Sequence, residues 1–217
     1  MKLTIRTKIC GLSTHETLGV AIEAGADFVG FVFFPPSPRA VTPAQAADLA
    51  SNVPARITKV GLFVDADDAT IAATLAHVPL EALQLHGSES VERLDEINDR
   101  FGLPVMKAVK VETAADVAGA RIYQDVADWL LFDAKAPKNM AGALPGGNAL
   151  SFDWKLLQDQ DWTVPWMLCG GLDAANVAEA VKITGAAAVD VSSGVEDRPG
   201  HKDPARIRAF LDVTASL

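Results

Sequence analysis

The chain has no apolar run approaching the ~20 residues that a membrane-spanning helix needs. Its N-terminal segment alternates apolar and polar residues, unlike the continuous apolar core of a signal peptide. Only two cysteines occur, Cys10 and Cys169, too few for a disulfide framework. These absences make a reducing compartment, the cytoplasm, the expectation. Basic residues are outnumbered, 19 against 28 acidic ones, for a formal net charge of −9. That disfavours nucleic acid as a partner, because neutralising phosphates takes clustered lysine and arginine. A small anion is not excluded, since one arginine and a few backbone N–H groups bind it locally. His15, His77 and His201 have no metal-ligand spacing with other histidines or cysteines, so no metal is expected. There is also no Walker loop, GxGxxG string or Ser-His-Asp signature, and no cofactor is expected.

What the sequence does contain is an alternation. Short apolar runs end near Cys10, Phe33, Val64, Leu85, Val109, Asp133, Cys169 and Val191, at intervals of 21 to 36 residues. That is about the length of a strand, a loop and a helix, and parallel strands need such crossovers. Eight units on 217 residues fit a single α/β domain, a closed (β/α)8 barrel with a parallel eight-stranded core spanning 1–217. The expected strands are 3–9, 28–33, 57–64, 80–85, 104–109, 129–132, 166–169 and 187–191. Helices are expected after caps at Ser13 or Thr14, Asp65, Ser88, Asp173 and Asp203, over 113–126, and with Pro43 in the first turn of another. Residues 135–150, rich in Pro, Gly and Asn, read as a long functional loop.

In a (β/α)8 barrel the active site lies at the C-terminal ends of the strands. Five clusters should therefore converge on one mouth. Gly170-Gly171 after strand seven and Ser192-Ser193-Gly194 after strand eight occupy the slots where barrels commonly hold phosphate, with backbone N–H groups free to bind oxygens. Taken alone, each glycine stretch is an ordinary tight turn. Cys10 ends strand one on the face shared with Lys8, where a cation would lower the thiol pKa toward a useful base; the alternative is a buried cysteine that only packs. Cys169 reads as packing. Asp133 follows four apolar residues, so it must find partners or titrate high, which suits a general acid; the alternatives are a helix cap or a bridge to Lys135. Gln84 and His86 share one face of strand four and suit ligand hydrogen bonds, or His86 merely holds Gly87 and its loop. Arg39 sits in a loop stiffened by three prolines, where a guanidinium can clamp a carboxylate or stand solvated.

Together these residues resemble the phosphoribosylanthranilate isomerase family of tryptophan biosynthesis. The resemblance rests on Lys8-Ile-Cys-Gly11, Ser37-Pro-Arg39, Val60-Gly-Leu-Phe63, Gln84-Leu-His-Gly87, Phe132-Asp133 and Phe152-Asp-Trp154. It continues through Gly170-Gly-Leu172 with Asn176-Val177, and Asp190-Val-Ser-Ser-Gly-Val-Glu196 followed by Gly200-His-Lys-Asp203. It runs in order along essentially the whole chain. It implies an Amadori rearrangement of a phosphoribosyl substrate without a cofactor. Asp133 would then be the acid that opens the ribose ring and Cys10 the base at C2. Arg39 would bind the anthranilate carboxylate, Gln84, His86 and Asp190 would contact substrate, and the strand seven and eight loops would hold phosphate. Two departures stand out: Gly146-Gly-Asn-Ala149 replaces a Gly-Gly-Thr-Gly-like stretch, and Cys169 precedes Gly170 where a smaller residue is expected.

Two rival readings are a histidine-pathway phosphoribosyl isomerase and a non-catalytic phosphate-ligand barrel. The first family resembles the chain in fold and phosphate loops but has an aspartate in place of Cys10 and a two-half repeat not seen here. The second predicts loss of the acid or the base. Either a monomer or a homodimer is compatible with the sequence.

Overall fold

A computed structural model describes residues 5–137 and 144–217. Eight parallel strands close on themselves: β1 (Arg6–Cys10), β2 (Phe28–Val32), β3 (Thr58–Phe63), β4 (Ala82–Leu85), β5 (Val105–Val111), β6 (Trp129–Ala134), β7 (Trp166–Leu168) and β8 (Ala188–Val191). β1 pairs with both β2 and β8, so the barrel has no free edge. Helices α1 (His15–Glu23), α2 (Pro43–Ala50), α3 (Asp68–Leu75), α4 (Val91–Phe101), α5 (Ala114–Gly119), α6 (Val177–Thr184) and α7 (Pro204–Ser216) surround it. Between β6 and β7 the described residues hold a short 3-10 turn, Trp154–Leu157, and no α-helix. A small hairpin, β9 (Glu196–Arg198) and β10 (His201–Lys202), follows β8.

Strand alternation divides the core in two. Side chains of one parity, among them Phe28, Val60, Met106, Leu131 and Met167, fill the barrel interior. Those of the other parity, such as Ile9, Val29, Leu83, Leu130 and Val189, pack outward against the helices. Polar residues on the inward parity, Lys8, Gln84, Asp133 and Asp190, are stacked above the apolar interior toward the C-terminal mouth.

Several expected boundaries move, for identifiable reasons. Strand one begins at Arg6 and runs through Cys10; its expected first residues, Leu3 and Thr4, lie outside the described residues. Asp65 does not cap α3. Asp67 does, accepting from Thr70 N–H at 2.8 Å, while Asp65 takes a left-handed φ of 47° and accepts from Ser88 N–H. Ser88 does not cap α4 either; Ser90 does, because Glu89 is drawn inward to a buried pair with Lys107. The helix after Thr113 stops at Gly119 and continues only as the 3-10 turn Ala120–Tyr123. Asp173 caps a turn that precedes α6, accepting from the N–H groups of Ala175 and Asn176. β6 extends past its expected end, so Asp133 lies inside a strand. The described parts of 135–150 carry no helix or strand, and 138–143 lie outside the described residues.

Candidate active site

The C-terminal ends of the strands frame a cleft. Cys10, Arg39, Gln84, His86, Asp133, Gly170, Gly171, Asp190, Ser192 and Ser193 all line it. Gly194 stands just behind, where a side chain would collide with the Leu172 carbonyl. The expected clusters thus meet at one mouth, brought from β1, β2, β4, β6, β7 and β8.

Cys10 is the last residue of β1 and is buried. Beneath it Lys8, fully buried, donates to Asp190 Oδ1 at 3.0 Å. Burial raises the Cys10 thiol pKa; the Lys8 ammonium pulls it down without cancelling that rise. The expectation of a lowered thiol pKa is therefore corrected: the cation is present, and desolvation outweighs it. Lys8 itself is held firmly protonated. Burial opposes its charge, and the nearby Asp190 and Cys10 more than offset that. Gly30 on β2 completes this corner. A β-carbon there would lie 3.0 Å from Cys10 Sγ and 3.3 Å from Lys8 Nζ.

Across the mouth, Asp133 finds its partners without Lys135, which pairs with Asp116. Asp133 Oδ1 accepts from Ala134 N–H at 2.9 Å, and Oδ2 lies 3.1 Å from His86 Nε2. His86 Nδ1 in turn lies 2.9 Å from Gln84 Nε2. His86 therefore holds a carboxylate, while Gly87 and its loop are held by Glu89 and Lys107. Gly146 packs directly on this pair, its β-carbon position only 2.5 Å from His86 Nε2 and 2.7 Å from Asp133 Oδ2.

Arg39 is 5 % exposed, so it is not a solvated surface arginine. Nε and Nη2 donate to the two Glu196 oxygens at 2.7 and 2.8 Å, a bidentate fork that aims the side chain over Gly11. Gly11 has φ of 79°, and any side chain there would strike Arg39 Cδ at 2.8 Å. Nη2 also donates to the Gly147 carbonyl, and Nη1 has no hydrogen-bond partner among the described residues. Lys202 Nζ reaches Glu196 at 2.7 Å and donates to Ser192 O and Oγ, tying the Arg39 bracket to the loop after β8. After β7, Gly170 and Gly171 take φ of 87° and 64°, and Asn176 Nδ2 donates to the Gly171 carbonyl. The Gly170 and Gly171 N–H groups make no hydrogen bond among the described residues. Cys169 packs as expected, and its thiol also donates to Asp190 Oδ2 at 3.6 Å.

Sequence reasoning missed Glu196, Lys202 and Gly30 as parts of the site. Their signals were a glutamate and a lysine flanking the strand-eight loop, and a glycine in the middle of a strand, a position that marks close approach.

Fold and cleft together define the class, an enzyme of the (β/α)8-barrel type with its polar groups gathered at the strand ends. The family model described as N-(5'phosphoribosyl)anthranilate (PRA) isomerase matches residues 7–213. The chain belongs to this family. A curated relative, the N-(5'-phosphoribosyl)anthranilate isomerase of Paramagnetospirillum magneticum, is 58% identical over 209 residues, 96% of each chain. A solved phosphoribosyl anthranilate isomerase from Thermotoga maritima superposes with a TM-score of 0.87 at 37% identity, covering 98% of this chain and 100% of that one. A further phosphoribosyl anthranilate isomerase, solved with reduced 1-(o-carboxyphenylamino)-1-deoxyribulose 5-phosphate, has a TM-score of 0.83 at 35% identity with the same coverage.

Proposed function

We propose that this chain isomerises N-(5-phosphoribosyl)anthranilate to 1-(2-carboxyphenylamino)-1-deoxyribulose 5-phosphate, with 1–217 acting as one catalytic domain. Asp133 gives a proton to the ribose ring oxygen. The C1–O bond breaks and the anthranilate nitrogen lone pair forms a Schiff base at C1. Cys10 then removes the proton from C2, the electron pair moves toward the iminium, and the resulting enolamine ketonises. The two groups stand at opposite sides of one cleft, which is what a reaction with one acid step and one base step requires. That both groups line one cleft, Cys10 from β1 and Asp133 from β6, is the observation that carries the reading.

The substrate's two anionic ends match the two ends of the cleft. Arg39, braced by Glu196, receives the anthranilate carboxylate through its remaining N–H groups. The N–H groups of Gly170, Gly171, Ser193 and Gly194 receive the phosphate. Gln84, His86 and Asp190, which also line the cleft, receive the ribosyl part. All these groups come from one chain, so a monomer suffices and a homodimer adds nothing the chemistry needs. Cys10 must stay a free thiol to act, which favours the reducing cytoplasm. Among the described residues, no helix is long and apolar enough to cross a membrane.

The test generates the substrate in situ from anthranilate, phosphoribosyl pyrophosphate and a transferase, and follows its fluorescence with indole-glycerol-phosphate synthase as coupling enzyme. Turnover that depends on this protein is expected. Failure to turn over, with a histidine-pathway phosphoribosyl substrate consumed instead, would contradict the assignment of the aromatic end.

A further inference from the structure

Gln84 is completely buried, and its two amide ends meet different fates. Nε2 lies 2.9 Å from His86 Nδ1, while Oε1 is buried with no hydrogen-bond partner among the described residues. A buried acceptor left alone costs about 1–3 kcal/mol, so such an atom calls for a partner. Gln84 lines the cleft from β4, and Arg39 and the loops after β7 and β8 line it too. A substrate stretched between Arg39 and those loops would lay its ribosyl hydroxyls there.

We infer that Gln84 and His86 form a relay that couples a ribosyl hydroxyl to Asp133, with both as positioning residues for the acid step. This rests on the function proposed above. A hydroxyl donating to Gln84 Oε1 fixes which way the amide points. The amide N–H then donates to His86 Nδ1, which leaves the imidazole proton on Nε2, facing Asp133 Oδ2 at 3.1 Å. As Asp133 gives its proton to the ring oxygen it becomes a carboxylate, and a donor aimed at Oδ2 gains strength at that moment. The Ala134 N–H at Oδ1 does the same from the other side. A β-carbon at position 146 would collide with both His86 Nε2 and Asp133 Oδ2, so only glycine leaves this pair intact.

Nitrogen-15 NMR of His86 in the intact protein tests the tautomer directly, with the reduced carboxyphenylamino-deoxyribulose phosphate as probe. A neutral imidazole protonated on Nε2 in the complex is expected; protonation on Nδ1 alone overturns the relay. Kinetics give a second arm. Gln84→Met keeps the length of the side chain but removes both the acceptor for the hydroxyl and the donor to Nδ1; it is expected to raise KM about two- to tenfold for the lost substrate contact and to lower kcat about 10–100-fold as the acid step loses its alignment. His86→Gln retains an N–H near the Nε2 position and should keep most of the kcat that His86→Leu loses. Parental kcat in Gln84→Met overturns the proposal, as does equal kcat in the two His86 variants. If the parent enzyme itself does not turn over, the proposed function fails and the relay with it; turnover by the parent with His86 protonated on Nδ1 alone overturns the relay and leaves the function standing.

Discussion

Lys8 Nζ lies 3.0 Å from Asp190 Oδ1, and the two residues are register partners of β1 and β8 with both side chains sealed inside the barrel. A buried ion pair is weak evidence for stability, because desolvating two charges offsets most of their attraction. Its value here is positional. Asp190 holds a permanent cation beneath Cys10, and that cation is the main influence opposing the rise that burial imposes on the thiol.

Replacing Lys8 by methionine should therefore push the Cys10 thiol still higher. The thiolate is the working base, so the rising limb of kcat/KM against pH moves to higher pH. The same variant leaves Asp190 buried without its partner and should lose about 3–5 kcal/mol of stability. A pH–rate profile and urea unfolding read the two effects separately. An unmoved limb would mean that Lys8 acts on the fold alone.

Gly30→Ala places a methyl 3.0 Å from Cys10 Sγ, 3.2 Å from Cys10 Cα and 3.3 Å from Lys8 Nζ. The strand backbone accepts alanine, so the protein should fold while the base is displaced. We expect kcat to fall by about 10–100-fold, in keeping with the sensitivity of rates to misplacement of about 1 Å, and thermal stability to change little.

Arg39→Lys keeps the charge and removes the planar fork that Glu196 grips. KM for the substrate should rise about tenfold to a hundredfold, equivalent to ~1.4–3 kcal/mol for a charged hydrogen-bonded contact, with a smaller effect on kcat. Glu196→Gln should move KM in the same direction by loosening the bracket. Steady-state kinetics over a range of substrate concentrations separates KM from kcat.

Acid stability follows from two buried glutamates. Burial would raise both, yet Lys107 brings Glu89, and Arg39 with Lys202 brings Glu196, below the ordinary carboxylate value of 4.5. A depressed folded-state pKa contributes stability that is complete above 4.5 and is lost as pH falls through the lower folded value. Urea midpoints should hold steady from neutral pH down to about 4.5 and drop below it. Glu196→Gln should start lower at neutral pH and fall less steeply in acid.

The barrel was legible because its signal is local. Each strand carries a run of apolar residues, every crossover but the one after strand six carries its own cap or proline, and the count of eight follows. The misplaced boundaries are those where a distant residue overrides a local rule. Ser88 reads as a cap only until Lys107 on β5 claims Glu89 and delays the helix by two residues. Asp133 reads as a loop residue only because the pairing of β6 with β5 up to Ala134 cannot be seen from the apolar run Trp129-Leu-Leu-Phe132. Within the site, residues at strand ends were legible as soon as the fold was, since topology alone brings Cys10, His86 and Asp133 together. The bracket joining Arg39 to Glu196 spans 157 positions and left no local trace. The rise in the Cys10 thiol pKa was also hidden, because its sign depends on how burial weighs against Lys8, and burial is a property of the closed barrel.

Cys10 as the base and Asp133 as the acid of one isomerisation is the assignment on which every other role in the cleft depends. Single-turnover rates of the parent, Cys10→Ser and Asp133→Asn, measured beside their affinities for the reduced product analogue, test it most directly. Each substitution should lower the chemical rate by about 10²–10⁴-fold, the usual contribution of a positioned acid or base, while analogue binding stays within about threefold. Parental rates in either variant would contradict it.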